Sequence, residues 1–382
     1  MVTFEKLSTS CYLVQCLIFI DCAMEKVAGF LAPLVVYLFI FVLNALMPGR
    51  WVVGYATKPN STEKLKYRIN GIFVLFTVVA CWILLCHYNV LPWDWLYQYR
   101  WYGLAGAISF GLVFSLVLVI PYPSVKRSFL ADFYLGRLEN PQLWGGRIDA
   151  KMWLYLVGAV MLELNVLSYA AHHYFLYGAL ASPGIFLCAG LLTFFLVDYL
   201  TFEEVHLYTY DLFAERVGFK LGWGCIAFYP YFYAIPLWST ADLPDAHTPS
   251  WLLVLYAFIF FLGWSLSRGA NLQKYFFKKD PKRVFLGITP EAITDGKRQL
   301  LVNGFWGLSR HINYLGEILM ATGLVLCVGH PLLIWPWLYP FYYVVLLFPR
   351  QIDDDKRCAK KYGPLWQQYL KRVPYRIIPY VY

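Results

Sequence analysis

Charge is scarce in this 382-residue chain: only 14% of its residues are Asp, Glu, Lys or Arg, against about 25% in a soluble domain. Apolar residues make up 60% and aromatic residues 20%. So little charge cannot coat that much apolar surface, which excludes two or three soluble domains even though the length would accommodate them. The same composition excludes a disordered chain, a collagen-like chain and a small disulfide scaffold. Nine cysteines are present without a CxxC pair. Most lie in apolar runs, where Cys acts as a small hydrophobe, so neither a zinc site nor a disulfide framework is indicated. There is no GxGxxG and hence no Rossmann domain to hold a dinucleotide. HExxH and HxxxH are also lacking, the neighbours His172 and His173 cannot share a helix face, and no metal centre is expected. The apolar run from Cys11 to Ile20 has no persuasive small-residue cleavage site after it, so no removable signal peptide is expected.

What the chain does have is long apolar runs. A bilayer core needs about 20 apolar residues per helix. Candidates are Val27 to Met47, Gly71 to Cys86, Tyr102 to Ile120, Met152 to Ala171, Phe175 to Val197, Leu221 to Trp238, Trp251 to Leu266 and Ile318 to Trp335. A further run, Trp337 to Phe348, is short. Pro331, Pro336, Pro340 and Pro349 interrupt this end, so the last two runs are expected to form a bent hairpin. The connections are short and rich in turn residues. The fold class is therefore all-α: a polytopic transmembrane helical protein forming one domain over residues 1–382. Its membrane core spans residues 27–266, and a more polar part follows from 267.

The net charge of +9 is unevenly spread. Arg268 to Arg298 and Arg350 to Arg376 each hold eight basic and three acidic residues, leaving 16 basic and 17 acidic residues elsewhere. The positive-inside rule puts both segments on the cytoplasmic side, together with the basic loop from Arg50 to Arg68. The same two segments also suit a polyanion such as a nucleotide diphosphate.

Ionisable groups beside apolar runs are candidates for function. The densest stretch is DYLTFEEVHLYTYD, with Asp198, Glu203, Glu204, His206 and Asp211. The seven-residue spacing puts Glu204 and Asp211 on one helix face. Spacing alone leaves two readings open, an acid cluster facing a cavity or a solvated loop. Tyr233 lies in the apolar segment GWGCIAFYPYFYAIP between Pro230 and Pro236, and proline in a membrane helix frees backbone groups. The most distinctive block is NGFWGLSRHINYLGE, Asn303 to Glu317, with RQIDDDKRCAKKYGPLWQQYLKRVPYRIIPY following from Arg350. Arg and Lys clamp phosphates, Asn and Asp read hydroxyls or a carboxamide, and aromatic rings stack on a flat heterocycle.

These blocks resemble the membrane sterol reductases, which include the Δ7, Δ14 and Δ24(24¹) enzymes and the membrane domain of the lamin B receptor. LLVNGFWGLSRHINYLGE and DDKRCAKKYGPLWQQYLKRVPYRIIPYVY carry the resemblance, supported by KYRING, FYLGRLENP, GFKLGWG and RGANLQK, from about Pro48 to the C-terminus. It implies about ten transmembrane helices, NADPH as hydride donor bound by residues 267–382, and a sterol drawn from the bilayer. The implied NADPH contacts are Lys274, Lys278, Leu301, Trp306, Asn313, Tyr314, Arg350, Asp354, Cys358, Tyr362 and Tyr369. Lys278 stands where the family usually has arginine, keeping the charge but not the bidentate geometry. Glu203 and Asp211 fall on the family's acidic positions, Tyr233 on its cavity tyrosine, and these three are the implied catalytic residues. Cys225 replaces a usual aspartate and Leu138 a usual glutamate.

The implied chemistry is coherent. An isolated alkene accepts hydride only after an acid protonates it to a tertiary carbocation, which requires orientation of the donor and exclusion of water. The resemblance gives Tyr233 the proton, supported by Glu203 or Asp211. LGWG before PYFY, with GFWG rather than GWWG, implies the Δ7 bond first, with Δ24(24¹) and Δ14 behind it. Two other readings stay open. One is a membrane methyltransferase of the isoprenylcysteine carboxyl type, whose RHxxYxGE pattern is similar. The other is a non-catalytic sterol-binding protein. No nucleic-acid partner is implied.

Overall fold

Proline decides where several of the apolar runs start and stop. In a computed structural model, which describes residues 2–58, 61–124, 127–209, 212 and 215–382 (the backbone alone for 2–22), most runs form helices. These are α1 (Val2–Leu46), α2 (Gly71–His87), α3 (Arg100–Val119), α4 (Ala150–Tyr177), α5 (Pro183–Thr201), α6 (Ser250–Lys279), α7 (Ile312–Cys327), α8 (Ile334–Tyr362) and α9 (Pro364–Arg372). Among the described residues, five stretches are long and apolar enough to cross a bilayer: Ala23–Leu46, Arg100–Val119, Ala150–Leu180, Pro183–Thr201 and Ser250–Lys279. Gly71–His87 and Ile312–Cys327 are shorter apolar helices. The chain is a polytopic helical membrane protein.

Four expectations shift. The run expected from Phe175 instead continues α4 to Tyr177, and α5 begins at Pro183, since proline is favoured at the first position of a helix. The run expected over Ile318 to Trp335 stops at Cys327, and Gly329 follows with φ of 79°. Trp337 to Phe348 is not a separate short run. It belongs to the 29-residue α8, which continues through Pro340 and Pro349. Leu221 to Trp238 is not one span. It divides into Phe219–Trp223, a π-turn over Gly224–Phe228, Tyr229–Phe232 and Ile235–Thr240.

The Arg50 to Arg68 loop is a β-hairpin. β1 (Arg50–Thr57) pairs antiparallel with β2 (Lys64–Ile69), with Trp51 opposite Arg68 and Val53 opposite Lys66. The alternation of WVVGYAT and KLKYRI carries this period of two. Two smaller hairpins are β3 (Gln142–Leu143) with β4 (Ile148–Asp149), and β5 (Ala292–Thr294) with β6 (Gln299–Leu301).

The chain divides into two compact units. The first comprises 1–172, 196–203 and 210–234; the second comprises 173–195, 204–209 and 235–382. Within the first, α4 is the best-buried helix, and Leu154, Leu156, Val157, Met161 and Leu162 are at most 1% exposed. Within the second, α6 and α7 pack backbone to backbone. A Cβ on Gly263 would meet the Gly316 carbonyl oxygen at 2.6 Å, and one on Gly316 would meet Ser267 N at 2.6 Å. Such small-residue contacts replace the hydrophobic driving force that helices lack inside lipid. Ser267 Oγ donates to Glu317 Oε1 at 2.6 Å across the same seam.

Candidate active site

In the first unit, two of the three acid-side residues fall in described structure. Glu203 opens a one-turn helix, Glu203–His206, and is 4% exposed. Its Oε2 accepts from the backbone N–H of Gly71 at 2.9 Å, at the first residue of α2. A helix start offers unpaired N–H groups and a partial positive charge, so a carboxylate is well placed there. Burial still dominates, raising the Glu203 carboxyl to about 7, with the Gly71 hydrogen bond pulling the other way. Gly71 is small for a reason: a Cβ there would sit 2.9 Å from Glu203 Oε2. Asp211 lies outside the described residues.

The turn that presents Gly71 is built by KYRING. Arg68 donates to the carbonyls of Asn44 and Ala45, the latter at 3.0 Å. Asn70 Nδ2 donates to the Asn44 and Met47 carbonyls, each at 3.2 Å, and Asn44 Nδ2 donates to Asn70 Oδ1 at 2.6 Å. These side chains close the last turn of α1, whose final carbonyls otherwise lack partners.

Tyr233 follows the π-turn and is partly buried, its ring edge-on to Tyr229 at 4.6 Å between centroids. Pro230 has no N–H, which frees the carbonyl of Ile226 four residues earlier. Tyr37 Oη on α1 donates to that carbonyl at 2.6 Å, and Asn165 Nδ2 on α4 donates to the Pro230 carbonyl at 2.9 Å. Single π-turns of this kind often mark functional sites. Beside it, Leu34, Tyr37, Phe41, Phe110, Phe114 and Trp153 line an apolar cavity of about 270 Å³.

In the second unit, α6, the β5–β6 hairpin, the Phe305–Leu308 turn, α7, α8 and α9 carry the remaining candidates. Lys274 and Lys278 are one turn apart on α6, the first half-buried and the second exposed. Lys274 Nζ lies 5.1 Å from the Trp306 ring centre, a cation–π contact, and Trp306 Nε1 donates to the Ala270 carbonyl at 2.8 Å. Burial pushes the Cys358 thiol up to about 12, Asp354 adds to this, and Lys274 and Lys361 oppose it. Lys274, Asp354, Cys358 and Lys361 thus form one electrostatic neighbourhood. Asn313 stands on the first turn of α7, and its buried Oδ1 has no hydrogen-bond partner. An unpartnered buried acceptor is costly and points to a ligand donor such as a carboxamide N–H. Tyr314 stacks on His311 at 4.8 Å. Arg350 is half-buried on α8.

Leu301, Tyr362 and Tyr369 are buried at 8%, 7% and 5% exposure. The two tyrosines belong to a cluster with Val302, Leu365, Trp366 and Val373, with Ile293 and Leu300 packed against it. Trp366 stacks between them, 6.4 Å from Tyr362 and 5.0 Å from Tyr369. NGFW is a tight turn in which Gly304 has φ of 63°, a Cβ there would strike Gln273 Nε2 at 2.1 Å, and Gln273 Oε1 accepts from Phe305 N at 3.0 Å.

SRH, by contrast, is a latch. Arg310 Nη1 donates to the carbonyls of Val373 and Pro374 at 3.0 and 2.7 Å, and its Nη2 to Asp355 at 3.2 Å. The backbone N–H groups of Arg310 and His311 donate to the Tyr375 and Arg376 carbonyls, and Ser309 Oγ donates to the Ile377 carbonyl. Burial pushes the Asp355 carboxyl up, but the neighbouring His311 and Arg310 outweigh it and hold it below the usual range.

The sequence matches the ergosterol biosynthesis ERG4/ERG24 family over residues 2–382. The chain belongs to that family. It is 30% identical over 361 residues to the Delta(14)-sterol reductase of Arabidopsis thaliana, covering 91% of this chain and 94% of the relative. It is 32% identical over 361 residues to the Delta(14)-sterol reductase of Methylotuvimicrobium alcaliphilum, covering 89% and 80%. It is 29% identical over 330 residues to a probable 7-dehydrocholesterol reductase of Acanthamoeba polyphaga mimivirus, covering 83% and 72%. For this ERG4/ERG24 member, sequence reasoning missed Tyr37, Asn165 and the Gly71 partner of Glu203. Pro230 was the available signal for Tyr37, since its missing N–H leaves the Ile226 carbonyl in need of a donor. Nothing in the sequence pairs Glu203 with Gly71.

Proposed function

We propose that the protein reduces a carbon–carbon double bond of a sterol, taking hydride from NADPH. Family membership and the names of the reductases it matches support the sterol and the reaction type. The observation that carries the cofactor assignment is the half of the site in α6, α7 and α8. There the cation of Lys274 shares one region with Asp354 and Cys358, Lys278 neighbours Lys274 and Cys358, and the buried Asn313 Oδ1 lacks a protein donor. These residues suit a phosphorylated dinucleotide with a carboxamide: lysines for phosphate, Asn313 for an N–H, and Trp306 and Tyr314 as flat neighbours. When bound, NADPH supplies hydride. Lys274, Lys278 and Arg350 hold anionic groups, while Asn313 and Asp354 fix orientation. Tyr233 holds the proton delivered to the alkene, with Glu203 or Asp211 supporting its acidity, and the surrounding apolar side chains keep water from the cation.

The bond reduced is Δ14 or Δ7. The LGWG and PYFY segments favour Δ7, whereas two Δ14-named reductases match 89% or more of the chain, so Δ14 is the first bond to assay. The basic segments and the C-terminus face the cytoplasm in this reading. The purified protein, given NADPH and sterols carrying Δ14, Δ7 or Δ24(24¹) bonds, should yield a product two mass units heavier from one of them. Tyr233→Phe should lower turnover at least about a hundredfold with NADPH binding unchanged. Full turnover in that variant removes Tyr233 from the role, and absence of any reduced sterol removes the reaction.

A further inference from the structure

The β1–β2 hairpin has an outward face that carries none of the candidate site residues. Trp51, Val53 and Tyr55 alternate along β1 and are 52%, 49% and 36% exposed. Residues directly opposite one another in an antiparallel pair share a face, and Val53 lies opposite Lys66. Two residues along β2, Lys64 projects to the same side, and both lysines are exposed. One strand thus presents two aromatic rings and a valine, and the other presents lysines. The inward face is different in kind. Gly54, Ala56, Leu65 and Tyr67 are buried, and the Tyr67 ring lies so close over Gly54 that a Cβ there would meet it at 2.4 Å. The Lys66 carbonyl accepts from Gln142 Nε2 at 3.2 Å, fixing that side against the β3–β4 hairpin.

The position of the hairpin along the chain is equally informative. Three residues separate it from the end of α1 and one from the start of α2. Both are apolar helices, and α1 is long enough to cross a bilayer. The Arg68 and Asn70 hydrogen bonds to the last turn of α1 keep the hairpin base at that helix end. A sheet face held there, bearing Trp and Tyr beside lysines, has the chemistry of the headgroup layer: amphipathic rings settle among the glycerol and headgroups, and lysines meet phosphates. The segment from Arg50 to Ile69 carries five basic residues and one acid, and that acid, Glu63, is paired with Lys58 at 2.7 Å.

We propose that the Trp51–Val53–Tyr55 and Lys64–Lys66 face is a docking surface for anionic phospholipid headgroups, lying on the membrane beside the junction of α1 and α2. The test uses the full chain carrying Val53→Cys in two nanodisc preparations, one of phosphatidylcholine and one with about 30% phosphatidylserine. Labelling at residue 53 by a membrane-impermeant maleimide is read on its own peptide by mass, which separates it from the native cysteines. The expected result is labelling slower on the order of tenfold in the serine-lipid discs. Lys64→Glu with Lys66→Glu should restore the neutral-lipid rate. High salt on the unreversed protein should do the same, which keeps the test independent of whether the double variant folds. Equal rates in the two preparations overturn the proposal. Slow labelling in both, insensitive to salt, also overturns it, because a protein surface rather than charged lipid would then cover the face.

Discussion

Glu203 and Arg310 are both buried ionisable residues in charged stretches, yet the regions around them divide their labour differently. Around Glu203, a predicted catalytic acid turns out to seat the first N–H of α2, so a candidate site residue also serves the scaffold. Around Arg310, scaffold groups and candidate ligand groups are separate residues that lie close together in the chain. Ser309, Arg310 and His311 hold residues 373–377, while Asn313, one turn further, keeps an unpartnered oxygen. On α8, Asp355 pairs with Arg310 while its neighbour Asp354 acts on Cys358. Adjacent helical positions point about 100° apart, so one Asp serves the latch and the other the candidate pocket. A dense run of charge can therefore hold two functions without either side chain serving both.

The sharpest break of this comparison is Arg310→Ala. It leaves the half-buried Asp355 with only His311 and Arg376 beside it and frees the Val373 and Pro374 carbonyls, so stability should fall by about 3 kcal/mol, read as the unfolding midpoint in detergent. NADPH affinity should drop with it, although Arg310 is not among the proposed NADPH contacts. Glu203 gives the next largest effect. Its folded pKa of about 7 lies above the ordinary carboxylate value, so the folded state holds the proton more tightly. Its stabilising contribution is complete below about pH 4.5 and is lost as pH rises through 7. Relative to Glu203→Gln, the wild-type protein should lose roughly 2 to 3 kcal/mol between pH 5 and 8; parallel pH profiles would mean the carboxyl ionises freely.

On the ligand side, Lys278→Ala should raise the NADPH dissociation constant about tenfold with the unfolding midpoint unchanged, whereas Lys278→Arg should bind at least as well as wild type. Calorimetric titration separates the two. The smallest effect is Gly71→Ala. Its new methyl must displace the Glu203 carboxylate, costing about 1 to 2 kcal/mol, and it should leave NADPH affinity untouched.

Much of this was legible in the residues. Apolar length marked the spans, and the block from Asn303 onwards marked the family. The breaks were only half visible: Pro183 and Pro230 signal interruption, but whether a proline opens a helix, as Pro183 does, or lies inside one, as Pro340 and Pro349 do in α8, is set by the tertiary surroundings rather than by the residue type. The hairpin at Arg50 was readable by its alternation but was masked by its charge. Tyr362 and Tyr369, expected as cofactor contacts, also belong to an apolar cluster around Trp366, a packing role that composition alone does not reveal. The Glu203–Gly71 bond spans 132 residues, a separation at which no local pattern carries information.

The proline-broken segment at 219–240 has a consequence for biogenesis. Two of its carbonyls take their hydrogens from Tyr37 and Asn165, which stand on helices completed earlier in the chain. When the nascent segment leaves the ribosome, the side chains that will complement its open carbonyls have already been synthesised. Order of translation thus supplies the chaperoning, and a circular permutant beginning after residue 172 would have to insert this stretch before its donors exist.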